Sequence, residues 1–159
     1  MPEEEIRHVV LPNTELFIAY KFKETIGFAA SRHKKDEVYL AAAVISPSER
    51  GKGLYHVFNR IRIEYGLDKK LTNITTRTQN PRVERRITEV MDMLVIEHKI
   101  NKYVINRELL KGIYGRMLTD SRPTVSDPNI NNVFSRLNYE RGDAYFITFS
   151  VQLVGSSQK

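Results

Sequence analysis

Between Val38 and Tyr55 the chain reads VYLAAAVISPSERGKGLY, an apolar run that breaks at Pro47 into Arg50-Gly51-Lys52-Gly53 and then opens a helix. Residues 38–45 are almost continuously apolar, as expected of a central strand covered on both faces, so other strands must flank it. Glycines let backbone N–H groups crowd together with no Cβ in the way, and the helix N-terminus behind them adds partial positive charge. Arg50 and Lys52 add full charges. The guest predicted for such a loop is a pyrophosphate or polyphosphate.

Of two phosphate-loop patterns, one fails on the letters and the other is weak. A Walker loop requires glycine where Ser46 stands and Ser or Thr after its lysine, where this chain has Gly53. A dinucleotide fingerprint requires a third glycine where His56 stands. The flanking sequence is readable as alternating elements. Leu16, Ile18, Tyr20 and Phe22 alternate with Phe17, Ala19 and Lys21, predicting a strand over 16–22. A turn at Lys23-Glu24 joins it to a second strand over 25–31, followed by a charged turn over 32–36. After the loop, Leu54, Val57, Phe58, Ile61 and Tyr65 recur at helical spacing, with Gly66 as the expected C-cap.

Further along, Thr72 to Thr78 is β-branched and reads as a strand. Asn80 is placed to cap the next helix, with Pro81 at its first position. Val83, Ile87, Val90, Met91 and Leu94 mark that helix's apolar face; Arg82, Arg85, Arg86 and Glu89 mark the other. Residues 107–118 fit helix or strand, and 119–132 read as a loop rich in Pro, Asp and Asn. Tyr145, Ile147, Phe149, Val151 and Leu153 then alternate cleanly as a strand, ahead of a frayed tail.

The run Ile45-Ser46-Pro47 followed by Ser48-Glu49-Arg50-Gly51-Lys52-Gly53 resembles the strand, proline and Arg-x-x-Gly-x-Gly/Ala loop of GNAT-superfamily N-acetyltransferases. The order of strands before the loop agrees, Asn80 is similar to that family's CoA-contacting Asn, and residues 134–144 resemble the segment leading into its last strand. The resemblance covers roughly residues 14–90, and 130–153 more loosely. It implies a mixed α+β fold with a largely antiparallel central sheet and helices on both faces, from which this chain departs by a shortened N-terminus and an unusually long segment, 82–132, before the final strands. Three departures stand out: Tyr55 at the loop's final small-residue position, Asn138 in place of glycine, and Ile87 where many members carry a tyrosine acid.

The activity the resemblance implies is acetyl-CoA-dependent transfer of an acetyl group to an amine, of a small molecule or a protein. Val44 and Ile45 would pair with the pantetheine arm, and the Ile45 amide would face the developing oxyanion. Arg50 and the amides of Gly51, Lys52, Gly53 and Leu54, closed by Tyr55, would hold the pyrophosphate, with Asn80 a further CoA contact. Glu37 is the candidate base, its other reading a solvated turn residue. Tyr139 and Tyr114 are candidates for the acid, since phenols suit that range, and each also reads as a packing residue. His56 reads as a surface residue of the helix face. Arg77 fits a CoA phosphate, an acidic acceptor or an ordinary strand-face charge equally.

With 159 residues, 41% hydrophobic and 28% charged, the chain suits one soluble domain, 1–153, and a flexible tail, 154–159. It has no cysteine, which removes disulfides and thiolate chemistry. His8, His33, His56 and His98 are too scattered for a metal motif, so no metal is expected. The acidic start Met1-Pro2-Glu3-Glu4-Glu5 is unlike a targeting peptide, and no apolar run could cross a bilayer, giving a cytoplasmic, non-membrane expectation. A net charge of +6 suits CoA, nucleic acid or a solvated surface. Two alternatives stay open: a CoA-binding or scaffolding domain without turnover, and a nucleic-acid binder using Arg82, Arg85 and Arg86, the latter disfavoured because no nucleic-acid motif accompanies them. The short N-terminus points to a homodimer covering the acceptor side.

Overall fold

The computed structural model describes residues 13–155; the acidic start, His8 and the tail beyond Gly155 lie outside the described residues. The chain packs as two compact units, Met1–Thr75 and Thr76–Lys159. Six strands form one sheet in the order β1-β2-β3-β4-β6-β5, largely antiparallel. Among the described residues no helix is long and apolar enough to cross a membrane.

The first unit holds β1 (Thr14–Lys21), β2 (Glu24–Lys34), β3 (Glu37–Ile45), a 3-10 turn (Pro47–Glu49), α1 (Leu54–Asp68) and the first half of β4 (Asn73–Thr78). β1, β2 and β3 pair antiparallel in sequence, and β4 joins β3 in parallel. The first hairpin turns on Phe22 and Lys23, both at positive φ, one residue earlier than the Lys23-Glu24 turn expected. β2 also runs further, through Arg32 and His33. Arg32 lies over the ring of Tyr39, its cross-strand partner, and His33 packs on Tyr65, so the charged stretch gains contacts by staying extended.

α1 packs on β2 and β3 with a face different from the expected one. Val57 and Ile61 are exposed, while Phe58, Asn59, Arg62, Ile63, Gly66 and Leu67 are buried. Gly66 is not a C-cap. It lies inside the helix, where a Cβ would collide with the Val38 side chain, so its role is close approach of α1 to β3. The helix ends instead through Lys69, with Lys70 at positive φ.

The second unit holds the end of β4, α2 (Pro81–Ile96), β5 (Ile100–Leu110), α3 (Pro128–Phe134) and β6 (Ala144–Leu153). The caps form as the letters predict: Asn80 Oδ1 accepts from the Arg82 amide, with Pro81 at the first helical position. Ile87, Val90, Met91 and Leu94 of α2 are buried, as are Tyr145, Ile147, Phe149 and Val151 of β6. Each such side chain contributes about 1.5–3 kcal/mol of apolar transfer. The segment that the sequence left open is now divided: β5 occupies 100–110 antiparallel to β6, turns follow, and a seven-residue helix begins at Pro128. α3 was missed, although Asp127-Pro128 repeats the cap chemistry of Asn80-Pro81.

Candidate functional site: the end of β3 and an uncapped helix start

Within the first unit β3 and β4 pair in parallel over Glu37↔Asn73, Val38↔Ile74 and Tyr39↔Thr75. Ala41 to Ile45 are half-buried, contrary to a strand covered on both faces. The direction of the amides follows from the antiparallel alternation. Ser46 donates its amide to Ile26, so Ser46 and Ile26 form a hydrogen-bonded pair and Ile45 with Gly27 a non-bonded one. Ile45 and Ala43 therefore point their N–H and C=O groups away from β2. Val44 points its own toward β2. The Ile45 carbonyl, on the side away from β2, accepts from Arg50 Nε at 3.2 Å.

A register shift between Ala30 and Ser31 leaves Ala41 as an extra residue in β3. Arg62, 2% exposed, fills the disturbed spot from α1. Its guanidinium donates to the carbonyls of Ala30 and Ala42, both at 3.0 Å, and to Asn59 Oδ1 at 2.6 Å. None of these partners is a carboxylate, and burial pulls its pKa down to about 10, so it stays charged at neutral pH. Sequence reasoning missed Arg62 and Asn59; the signal was two polar residues three apart beside Phe58 and Ile63.

After Ile45 the 3-10 turn leads into Gly51 and Gly53, at φ 77° and 85°, with nothing within 4 Å of where a Cβ would stand. Gly53 is the cap residue of α1 and supplies no side chain to it. Among the described residues nothing accepts a hydrogen bond from the amides of Gly51, Lys52, Gly53, Leu54, Tyr55 or His56; the ladder begins with Val57 to Gly53. Lys52 lies 3.3 Å from Glu49, which also takes Lys21 at 3.0 Å. The hydrogen bond from Lys21, with help from Lys52, holds the Glu49 carboxyl below its ordinary range. Tyr55 turns its phenol toward Asn59 and Arg62, leaving the loop clear, and burial raises its pKa. The sequence thus brought together Val44, Ile45, Arg50, Gly51, Lys52, Gly53, Leu54 and Tyr55 in one unit.

No family model matches the sequence, and no curated protein does. Solved structures do resemble it. The ribosomal-protein-S18-alanine N-acetyltransferase of Escherichia coli aligns over 100% of this chain and 83% of its own, with a TM-score of 0.62 at 11% identity. A Bacillus subtilis acetyltransferase in complex with CoA aligns over 96% and 86%, at 0.58 and 14%. A GNAT family acetyltransferase from Elizabethkingia anophelis with acetyl-CoA bound aligns over 94% and 83%, at 0.58 and 15%. The fold is that of the GNAT acetyltransferases.

On this GNAT fold the remaining candidates are scattered. Glu37 begins β3, where Thr75 donates to it at 2.8 Å; Ile45 lies eight residues on, about 26 Å along an extended strand. Tyr114, in the second unit, donates to the Arg77 carbonyl at 3.1 Å and lies under the Arg77 guanidinium, 5.0 Å from ring centre. That contact absorbs Arg77 as well. Tyr139 is 3% exposed, its pKa raised by burial. Ile87 is core, at 1% exposure. His56 is half-buried in the first turn of α1. The arginines considered for nucleic acid are engaged: Arg85 and Arg86 on Glu89, Arg82 on the Thr124 carbonyl. Gln79, which the sequence did not flag, is buried and clamps the turn after β5 through the Arg116 carbonyl and the Leu118 amide.

Proposed function

We propose that the chain is an acetyl-CoA-dependent N-acyltransferase. The carrying observation is the row of six unbonded amides from Gly51 to His56 at the start of the fifteen-residue α1. Amides and helix dipole together favour a pyrophosphate there, with Lys52 and Arg50 adding charge. The exposed loop has room for it, since neither glycine has a neighbour where a Cβ would stand.

Acetyl-CoA supplies a thioester whose carbonyl carbon an amine attacks. The chain's part is to bind and orient. The outward amides and carbonyls of Ala43 and Ile45 suit an extended arm laid along β3 as an added strand. The Ile45 amide is the donor best aimed at an oxygen gaining negative charge. Val44, whose amide faces β2, contributes its side chain alone. Arg62 holds the carbonyls at the bulge and so keeps that edge shaped. In this reading Glu37 has no direct part at the thioester, because its carboxylate stands at the opposite end of the strand.

A second reading, CoA binding without turnover, is favoured by the burial of Ile87 at the position where the resemblance calls for an acid. Calorimetry with acetyl-CoA, followed by thiol release assayed over a panel of amines, separates the two. Binding with amine-dependent thiol release supports the transferase; binding without release supports the second reading. No heat of binding sinks both.

A further inference from the structure

β5 ends the strand order, so among the described residues no strand pairs with its outer edge. That edge is eleven residues long, free of proline, and its register with β6 is unbroken from Lys102 to Leu110. Natural proteins guard such edges with short strands, prolines or bulges, because unpaired N–H and C=O groups recruit another strand. Here neither proline nor bulge interrupts 102–110, the charges on the strand are Lys102, Arg107 and Glu108, and Val104 is 63% exposed in the middle of it.

The side chains specify what fits. Lys102 and Glu108 are both exposed, lie on the same face of β5, and have no ionic partner among the described residues. We propose that the occupant is a second copy of this chain, its β5 laid antiparallel against this one about a two-fold axis at Ile105. That axis sets Lys102 opposite the partner's Glu108 and Glu108 opposite the partner's Lys102. It sets Tyr103 opposite the partner's Arg107, both already held within their own chain, by Asp92 and Glu84, so the exposed Lys102–Glu108 pairs carry the match. It also brings the partner's Leu109 beside Asn101, at the mouth of a groove walled by Val95 and Ile96, where Ile96 is 75% exposed. Moving the axis by one residue destroys this match: at Val104, Lys102 meets the partner's Asn106; at Asn106, it meets the partner's Leu110. Charge therefore selects both the occupant and the register. The surface lies wholly within the second unit and does not depend on the acetyl-CoA reading.

Sedimentation equilibrium on the full chain tests it, with circular dichroism to verify that each variant is folded. The wild-type protein should be a dimer. Glu108→Lys and Lys102→Glu each make both symmetric pairs repulsive and should weaken the dimer by about tenfold or more. An equimolar mixture of the two variants should form a heterodimer of wild-type strength, because the opposite charges again face one another, and the double variant K102E/E108K should dimerise alone. A wild-type monomer at high micromolar concentration overturns the proposal, as do single variants that dimerise like the wild type or a mixture no tighter than its components.

Discussion

The start of α1 and the start of α2 solve the same problem in opposite ways. Every helix begins with amides that have no intrahelical acceptor. At α2 the chain closes them: Asn80 Oδ1 takes the Arg82 amide, Pro81 removes a donor outright, and Glu84 sets a buried carboxylate in the first turn. At α1 the cap is Gly53, no side chain reaches back, and no acid stands in the first turn. α3 follows α2, with Asp127 accepting from Asn129 and Ile130. Of the three α-helices among the described residues, two are capped with Asn-Pro and Asp-Pro and the third is left open. The difference is between a helix start whose amides the chain itself satisfies and one whose amides it leaves open.

The strongest way to break this contrast is at the closed end. Glu84 is fully buried and receives Arg107 Nε at 2.9 Å, while Arg107 itself is about a third exposed. Glu84→Ala removes the acid that settles the α2 start and leaves the guanidinium half in water. A loss near the lower end of the range for broken buried pairs, about 3 kcal/mol, should appear in urea unfolding. An unchanged midpoint would mean that α2 does not rely on its built-in anion.

At the open end the expected loss is in binding. Gly53→Glu places a carboxylate among the unbonded amides and forces a side chain onto a residue at φ 85°. Losing one or two charge-assisted hydrogen bonds, at about 1.5–3 kcal/mol each, predicts acetyl-CoA affinity about tenfold or more weaker by calorimetry. Stability should fall by only about 1–2 kcal/mol. Equal affinity in the two proteins would remove the pyrophosphate from this loop.

Why one end was legible and the other only partly so follows from the same chemistry. Asn80-Pro81 announces a cap because both residues act on their own neighbours, and the loop glycines announce free amides for the same reason. The strand over 145–153 was legible because its alternation is local. The face that α1 buries was not: Val57 and Ile61 outrank Asn59 and Arg62 in hydrophobicity, but carbonyls freed by the bulge in β3, distant in sequence, accept the guanidinium. Gly66 misled in the same way, since a packing glycine and a capping glycine look alike until Val38 is placed against it. β5 was obscured because its charged outer face interrupts the alternation. Of the candidate catalytic groups, tyrosines and a glutamate were selected by type, and type carries no information about distance from Ile45.

A smaller effect sharpens the comparison at Asn80. If its amide belongs to the cap, Asn80→Ala should cost about 1 kcal/mol in stability. Acetyl-CoA affinity should be unchanged within error. A tenfold loss of affinity at unaltered stability would instead make Asn80 a ligand contact and blur the division between the closed and open helix starts.

The smallest effect concerns the acid nearest the open end. Glu49 draws Lys21 and Lys52 to itself, and their hydrogen bonds keep it ionised well below the usual carboxylate range. Its depressed pKa fixes the sign: the charge is present at every neutral pH and is lost only on acidification. Acetyl-CoA affinity should therefore show no step from Glu49 between pH 6 and 8, and should rise only on acidification past the ordinary carboxylate range, where this lowered group takes its proton. Glu49→Gln should abolish that rise and release both lysines, tightening binding by about two- to fivefold, the worth of one exposed charge at close range. Weaker binding would mean that Glu49 organises the loop, so that the open helix start, like the closed one, depends on an anion of its own.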